Sequence, residues 1–173
     1  MNTELFHPAP MGLPLPICPS RGSNETLRSL ERLDWRNLVK AGNGEVLRAG
    51  ALWLHGFLDE SHSIAQGIAS AEGSYWHALM HRSEGDFSNS KYWYRRVGRH
   101  AIFPDLLATV RQLKINSHST TADLTGLKEW DPFRFVDAIE HAAINKTEDT
   151  ALLQAIARAE YNLLMGYCLT KDD

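Results

Sequence analysis

Apolar residues recur along most of the chain at intervals of three and four, the spacing that gathers them on one side of an α-helix. Leu27, Leu30 and Leu38, with Trp35 nearby, predict a first helix over about 24–40, entered at Ser23 or Asn24. Gly42-Asn43-Gly44 marks a turn. Residues 45–68 then read as one long helix, with Val46, Trp53, Phe57, Ile64 and Ile68 stacked on a common side. A short helix over 73–83 is broken at Glu84-Gly85-Asp86, and Asp86 or Ser88 caps another that runs to Val97.

Pro104 and Asp105 have the chemistry of a helix start, followed by Leu106, Leu107, Val110 and Leu113. The stretch 115–128 is polar and rich in Ser and Thr, and reads as a loop. Asp131-Pro132 opens a helix carrying Phe135, Ile139 and Ala142. Thr147 caps the last helix, with Glu148 and Asp149 in its first turn and Leu152, Ile156, Ala159 and Leu163 on a face. The chain has no run of alternating β-branched residues and no repeat at a solenoid period. The expected fold is all-α, an irregular bundle of about six helices.

Five of the seven prolines stand at positions 8, 10, 14, 16 and 19. Proline lacks an N–H donor and fixes φ, so residues 1–22 are expected to form an extended arm ahead of a single domain at 23–173. A chain of 173 residues buries enough surface to fold without disulfides or a structural metal. Cys18 and Cys168, at opposite ends, make neither a disulfide framework nor a CxxC motif. The first twenty residues lack the basic start of a signal peptide, which points to a reduced, cytoplasmic setting. No apolar run approaches the ~18–20 residues of a membrane span. The net charge of −3 and pI near 6.2 argue against a nucleic-acid binder.

Chemistry concentrates in residues 48–104. Five of the eight histidines, His55, His62, His77, His81 and His100, interleave there with a dense set of aromatics. If 45–68 is one helix, His55, Asp59 and His62 fall within an arc of about 60°. Asp beside His can set the imidazole tautomer, or both can ligate a metal. The outer pair would lie about 10.5 Å apart along the axis, so a second helix is needed to close a metal site. His77-x-x-x-His81 offers one, at the i, i+4 spacing that lets two imidazoles meet one ion. Ala78 follows His77, so the HExxH zinc-protease motif is absent. A site made of His62, His77, His81 and Asp59 would suit a divalent transition metal, and ligand softness does not choose among Zn, Fe, Ni and Mn. The competing reading makes the His55/Asp59/His62 stripe the solvated face of an amphipathic helix.

From Arg82 to His100 the chain carries five basic and two acidic residues, mixed with Tyr92, Trp93 and Tyr94. Arginine among aromatic rings can bind an anion, or can simply cover those rings and pair with acids elsewhere. The last 45 residues, with nine acidic against four basic, could supply such partners. No P-loop, GxGxxG or GxSxG motif is present.

The segments Asp59-Glu60-Ser61-His62, Glu72-Gly73-Ser74-Tyr75-Trp76-His77-Ala78-Leu79-Met80-His81-Arg82 and Gly85 to Gly98 (GDFSNSKYWYRRVG) resemble the core of an uncharacterised family of hypothetical proteins from bacteria and fungi. The resemblance implies that 55–100 is the functional centre and assigns no reaction.

The expectation is therefore a small-molecule site between the long helix and the two short ones. His55, Asp59, His62, His77 and His81 would supply acid/base or metal-binding groups, with hydrolysis or proton transfer as the chemistry. Arg95 and Arg96 would neutralise an anionic ligand, and Trp76, Tyr92 and Trp93 would wall the pocket. The alternative is a non-catalytic helical binding or scaffold protein with surface histidines. An amphipathic face in either case could mediate oligomerisation.

Overall fold

Ser23 accepts a hydrogen bond from the Thr26 amide and starts α1 (Asn24–Arg32), as the capping chemistry predicts. The helix does not run on to 40. Leu33 is extended, and Asp34 caps a single further turn, α2 (Trp35–Leu38), taking the Asn37 amide on its carboxylate. Trp35 turns back so that its indole N–H donates to the Leu30 carbonyl at 2.8 Å. These elements belong to a computed structural model that describes residues 18–39, 44–113, 122–145 and 150–170. The greater part of the proline-rich arm, most of the Gly42–Gly44 turn and the Thr147 cap lie outside the described residues. Residues 18–22 of the arm have no regular structure. They are tied down by the Arg21–Glu60 ion pair (2.7 Å) and by the Gly22 amide on the His55 carbonyl (2.8 Å).

The single helix expected over 45–68 is two. After α3 (Gly44–Leu54), Gly56 takes φ 68°, its amide bonds the Trp53 carbonyl, and the Phe57 amide reaches the Leu52 carbonyl. That pair of bonds is a Schellman stop, with glycine at the one position that needs a left-handed backbone. The chain then re-enters a helix as α4 (Leu58–Ala65), which Ser61 fastens to α3 by donating to the Ala49 carbonyl. His62 is thus on α4, and His55 lies in the turn that separates the two helices.

Ser70 caps α5 (Ala71–Ser83), and all residues from Glu72 to Ser83 are buried. A second Schellman stop follows, with Gly85 at φ 79° and the Asp86 amide on the His81 carbonyl. Asp86 then caps α6 (Phe87–Val97), as the sequence predicts. α7 (Phe103–Gln112) starts one residue ahead of the expected Pro104, and α9 (Pro132–Asn145) follows Asp131, whose carboxylate accepts from the Phe133 and Arg134 amides. The stretch read as a loop over 115–128 contains a short helix, α8 (Ala122–Thr125). α10 (Thr150–Thr170) buries Leu153, Ile156, Ala157, Glu160, Tyr161, Leu164 and Cys168, a face turned partly away from the expected one. The fold is all-α, with no strand among the described residues. None of the described helices is long and apolar enough to cross a membrane.

α3, α5 and α10 meet around Trp53, Trp76 and Tyr161, with ring centroids 5.6–6.5 Å apart. Beside them lies a wholly buried polar knot. Glu160 accepts from the Tyr75 and Tyr94 hydroxyls on one oxygen and from Arg82 at 2.7 Å on the other. Burial opposes the charge on Arg82, but Glu160 and the two tyrosines outweigh it and hold the guanidinium above its ordinary pKa. The knot joins α5, α6 and α10.

Candidate metal centre

α5 carries His77 and His81 one turn apart, and α4 brings His62 against them. The His62 ring centroid lies 4.5 Å from that of His77 and 5.4 Å from that of His81, and the two α5 rings stack at 4.8 Å. One ring nitrogen from each falls within 4.8 Å of the others. A tetrahedral ion bonded at about 2.1 Å needs its ligand atoms roughly 3.4 Å apart. Closure therefore asks for a shift on the order of 1 Å, within reach of side-chain rotation.

His77 is 2% exposed, and neither of its ring nitrogens has a hydrogen-bond partner. Buried polar atoms are nearly always satisfied, so two orphaned nitrogens on one imidazole require an explanation. Burial, reinforced by the neighbouring His62 and His81, lowers its pKa to about 3. The ring is therefore neutral near pH 7 and keeps a lone pair for a Lewis acid. His81 is also lowered, by burial and by His62, against the pull of Asp86.

The remaining surroundings hold the rings in place. Trp93, from α6, stacks on His77 at 3.8 Å with planes 22° apart, and the Arg96 guanidinium lies over the Trp93 ring. The Asn89 amide nitrogen sits along the edge of His81, 3.1 Å from Nε2 and 3.4 Å from Nδ1. Glu84 and Asp86 approach His81 Nδ1 at 3.5 and 3.9 Å. A carboxylate at Nδ1 favours the proton there, which leaves the Nε2 lone pair to accept from the Asn89 amide; His81 would exchange that bond for a metal. Burial pushes Glu84 above the usual carboxylate range; His62 opposes this, while Asp59 and Asp86 add to it. Cys18 lies near enough for Glu84 to raise its thiol further, beyond the effect of burial.

His62, His77 and His81 are thus brought together from among the expected residues. Asp59 is not in the converging set: it is exposed on the first turn of α4, and its charge is felt at Glu84. His55 is not in the set either, because the Gly56 reversal leaves it beyond the end of α3. Trp93 does wall the site. Trp76 does not, being fully buried against Gly50, Trp53 and Tyr161. Tyr92 is 48% exposed and meets the edge of Trp93. Arg95 extends over Phe133 of α9 and lines a different cavity, so Arg95 and Arg96 do not act as a pair. His100 is buried with Glu72, 3.8 Å away, and packs on Tyr75 and Tyr167.

Sequence reasoning missed Asn89 and Glu160, and both left a trace. Asn89 is the residue whose amide Asp86 caps, so the cap itself places it one turn into α6, facing back toward α5. Glu160 stands four residues from both Ile156 and Leu164, a carboxylate in the middle of an apolar helical face. No family model matches the chain, and neither a curated protein nor a solved structure shows significant similarity to it.

Proposed function

We propose that the protein binds one divalent transition metal through His62, His77 and His81 and serves as a metal-dependent hydrolytic or proton-transfer enzyme acting on a small molecule. The observation that carries this reading is His77, a buried imidazole with two unsatisfied nitrogens, held neutral and flanked by two more imidazoles. A metal held by three histidines keeps a position for water and lowers the pKa of that water toward neutrality. The residues around it supply what such chemistry needs. Trp93 covers the His77 ring, Asn89 orients His81, and Glu84 is an exposed carboxylate with a raised pKa beside the histidines, placed to accept and return a proton. The non-catalytic alternative makes the histidines surface residues; His77 and His81 are buried, while His55 and His62 are half-exposed.

The test begins with untagged protein stripped by EDTA and titrated with zinc and with cobalt. One ion per chain, a raised melting temperature and the visible absorption of tetrahedral cobalt are expected, all lost in His77→Ala. A melting temperature that neither EDTA nor zinc moves would refute the metal centre. If the ion binds but the loaded protein is inert toward ester, amide and phosphoester panels, with Glu84→Gln silent, the metal site stands and the catalytic role falls.

A further inference from the structure

The C-terminal end of α6, helix α7 and the segment 127–133 border a half-open cavity of about 1040 Å³ that none of the three clustered histidines lines. It is at the upper end of the size range of small-molecule sites. Its walls combine charged side chains with aromatic rings, among them Phe103 from α7, Phe133 from α9 and Trp130 from the segment between. Arg111 donates to the Thr125 and Leu127 carbonyls and so ties one wall to α7.

The charges around the cavity are uneven. Asp131 is engaged in capping α9, and Glu129 is engaged by Arg99 at 2.8 Å. Arg95 faces only the Phe133 ring, and Lys128 makes no ion pair among the described residues. Three cations without a carboxylate, Arg95, Lys128 and the carbonyl-bound Arg111, therefore border a partly aromatic cavity, in a chain whose net charge is −3. Trp130, 5% exposed, adds an indole N–H with no acceptor. A buried donor without an acceptor costs free energy, which a ligand's oxygen would recover if it reached the covered N–H.

We infer that this cavity is a second binding site, for an aromatic carboxylic acid, whose ring lies among Phe103, Trp130 and Phe133 and whose carboxylate meets Arg95 and Lys128. The inference does not depend on the metal centre. Calorimetric titration of the full chain with naphthoate, naphthamide and naphthylmethylamine tests it, with and without EDTA. Naphthoate should bind one to one and at least about tenfold more tightly than the amide, the scale of a charge-assisted hydrogen bond. The amine should not bind. The Arg95→Gln/Lys128→Gln variant should bring naphthoate to the level of the amide, and Trp130→Phe should weaken it severalfold, while Arg28→Gln changes nothing. Equal binding of the three probes, no binding of naphthoate, or an unaffected charge variant would overturn the assignment. So would concentration-dependent dimerisation weakened by the charge variant, since the cavity would then be covered by a second copy.

Discussion

The imidazole of His77 lies face to face with the indole of Trp93, their centroids 3.8 Å apart and their planes inclined by 22°. His77 belongs to the buried α5 and Trp93 to the half-exposed side of α6, so the contact fixes a ring that no hydrogen bond orients. Replacing Trp93 with Ala should free that ring. We expect zinc affinity to fall at least tenfold and stability to fall by about 2 kcal/mol, read by calorimetry and urea unfolding. Trp93→Phe should retain most of both. Unchanged zinc affinity in Trp93→Ala would show that the stack has no part in preparing the ligand.

The Arg82–Glu160 pair predicts an asymmetry. Glu160→Gln leaves a fully buried guanidinium without its counter-charge and should cost about 3–5 kcal/mol. Replacing both partners with apolar residues, as in Arg82→Met/Glu160→Leu, should recover much of the loss. Urea midpoints of the three proteins decide the matter; a double variant less stable than Glu160→Gln would refute it.

For the metal-free protein, the pKa of His77 near 3 fixes the sign of a pH effect. The unfolded ring titrates near its ordinary value of 6.5, so below that pH the unfolded chain binds a proton that the folded chain refuses. Stability should be fully present above pH 6.5 and decline as the pH falls from there toward 3. His81, lowered in the same direction, adds to the slope. In His77→Gln, unfolding measured in EDTA should depend less on pH between 7 and 5 than in the parent. An equal slope would mean that His77 is not held neutral.

Gly50 lets α3 pack directly against Trp76 of α5. A Cβ there would stand 2.5 Å from the Trp76 ring, which is immobilised in the core. Gly50→Ala should therefore destabilise by about 1–3 kcal/mol through overpacking, despite the better helix propensity of alanine. Because Trp76 precedes His77, zinc affinity should also fall. A variant as stable as the parent would indicate that the core yields at this point.

Gly56 tests the reversal that delivers α4. At φ 68°, with the Ser20 carbonyl 2.5 Å from where a Cβ would stand, Gly56→Ala meets both strain and a backbone clash. A loss of about 1–3 kcal/mol is expected in urea unfolding, with weaker zinc binding because His62 rides on α4. Insensitivity in both measurements would remove the reversal from the account of the site.

The sequence by itself determined the features whose causes are local. Apolar spacing and capping residues placed α5, α6, α7 and α9 near their observed starts, because a helix face and an N-cap are set within one or two turns. The same local rule put His77 and His81 on one face. The acidic C-terminal stretch does supply partners for the basic segment, at Arg82–Glu160 and Lys91–Asp137. Tertiary structure decided the rest. Whether His55 or His62 joined the α5 pair depended on Gly56 adopting a left-handed backbone, a choice stabilised by the packing of α4 on α3 and not visible in hydrophobic period. Glu160 entered the core because Arg82, 78 positions earlier, was there to meet it. Arg95 and Arg96, adjacent in sequence, diverged because consecutive helical residues point about 100° apart, one toward α9 and the other over Trp93. Period fixes which residues share a face; only the packed chain fixes which faces meet.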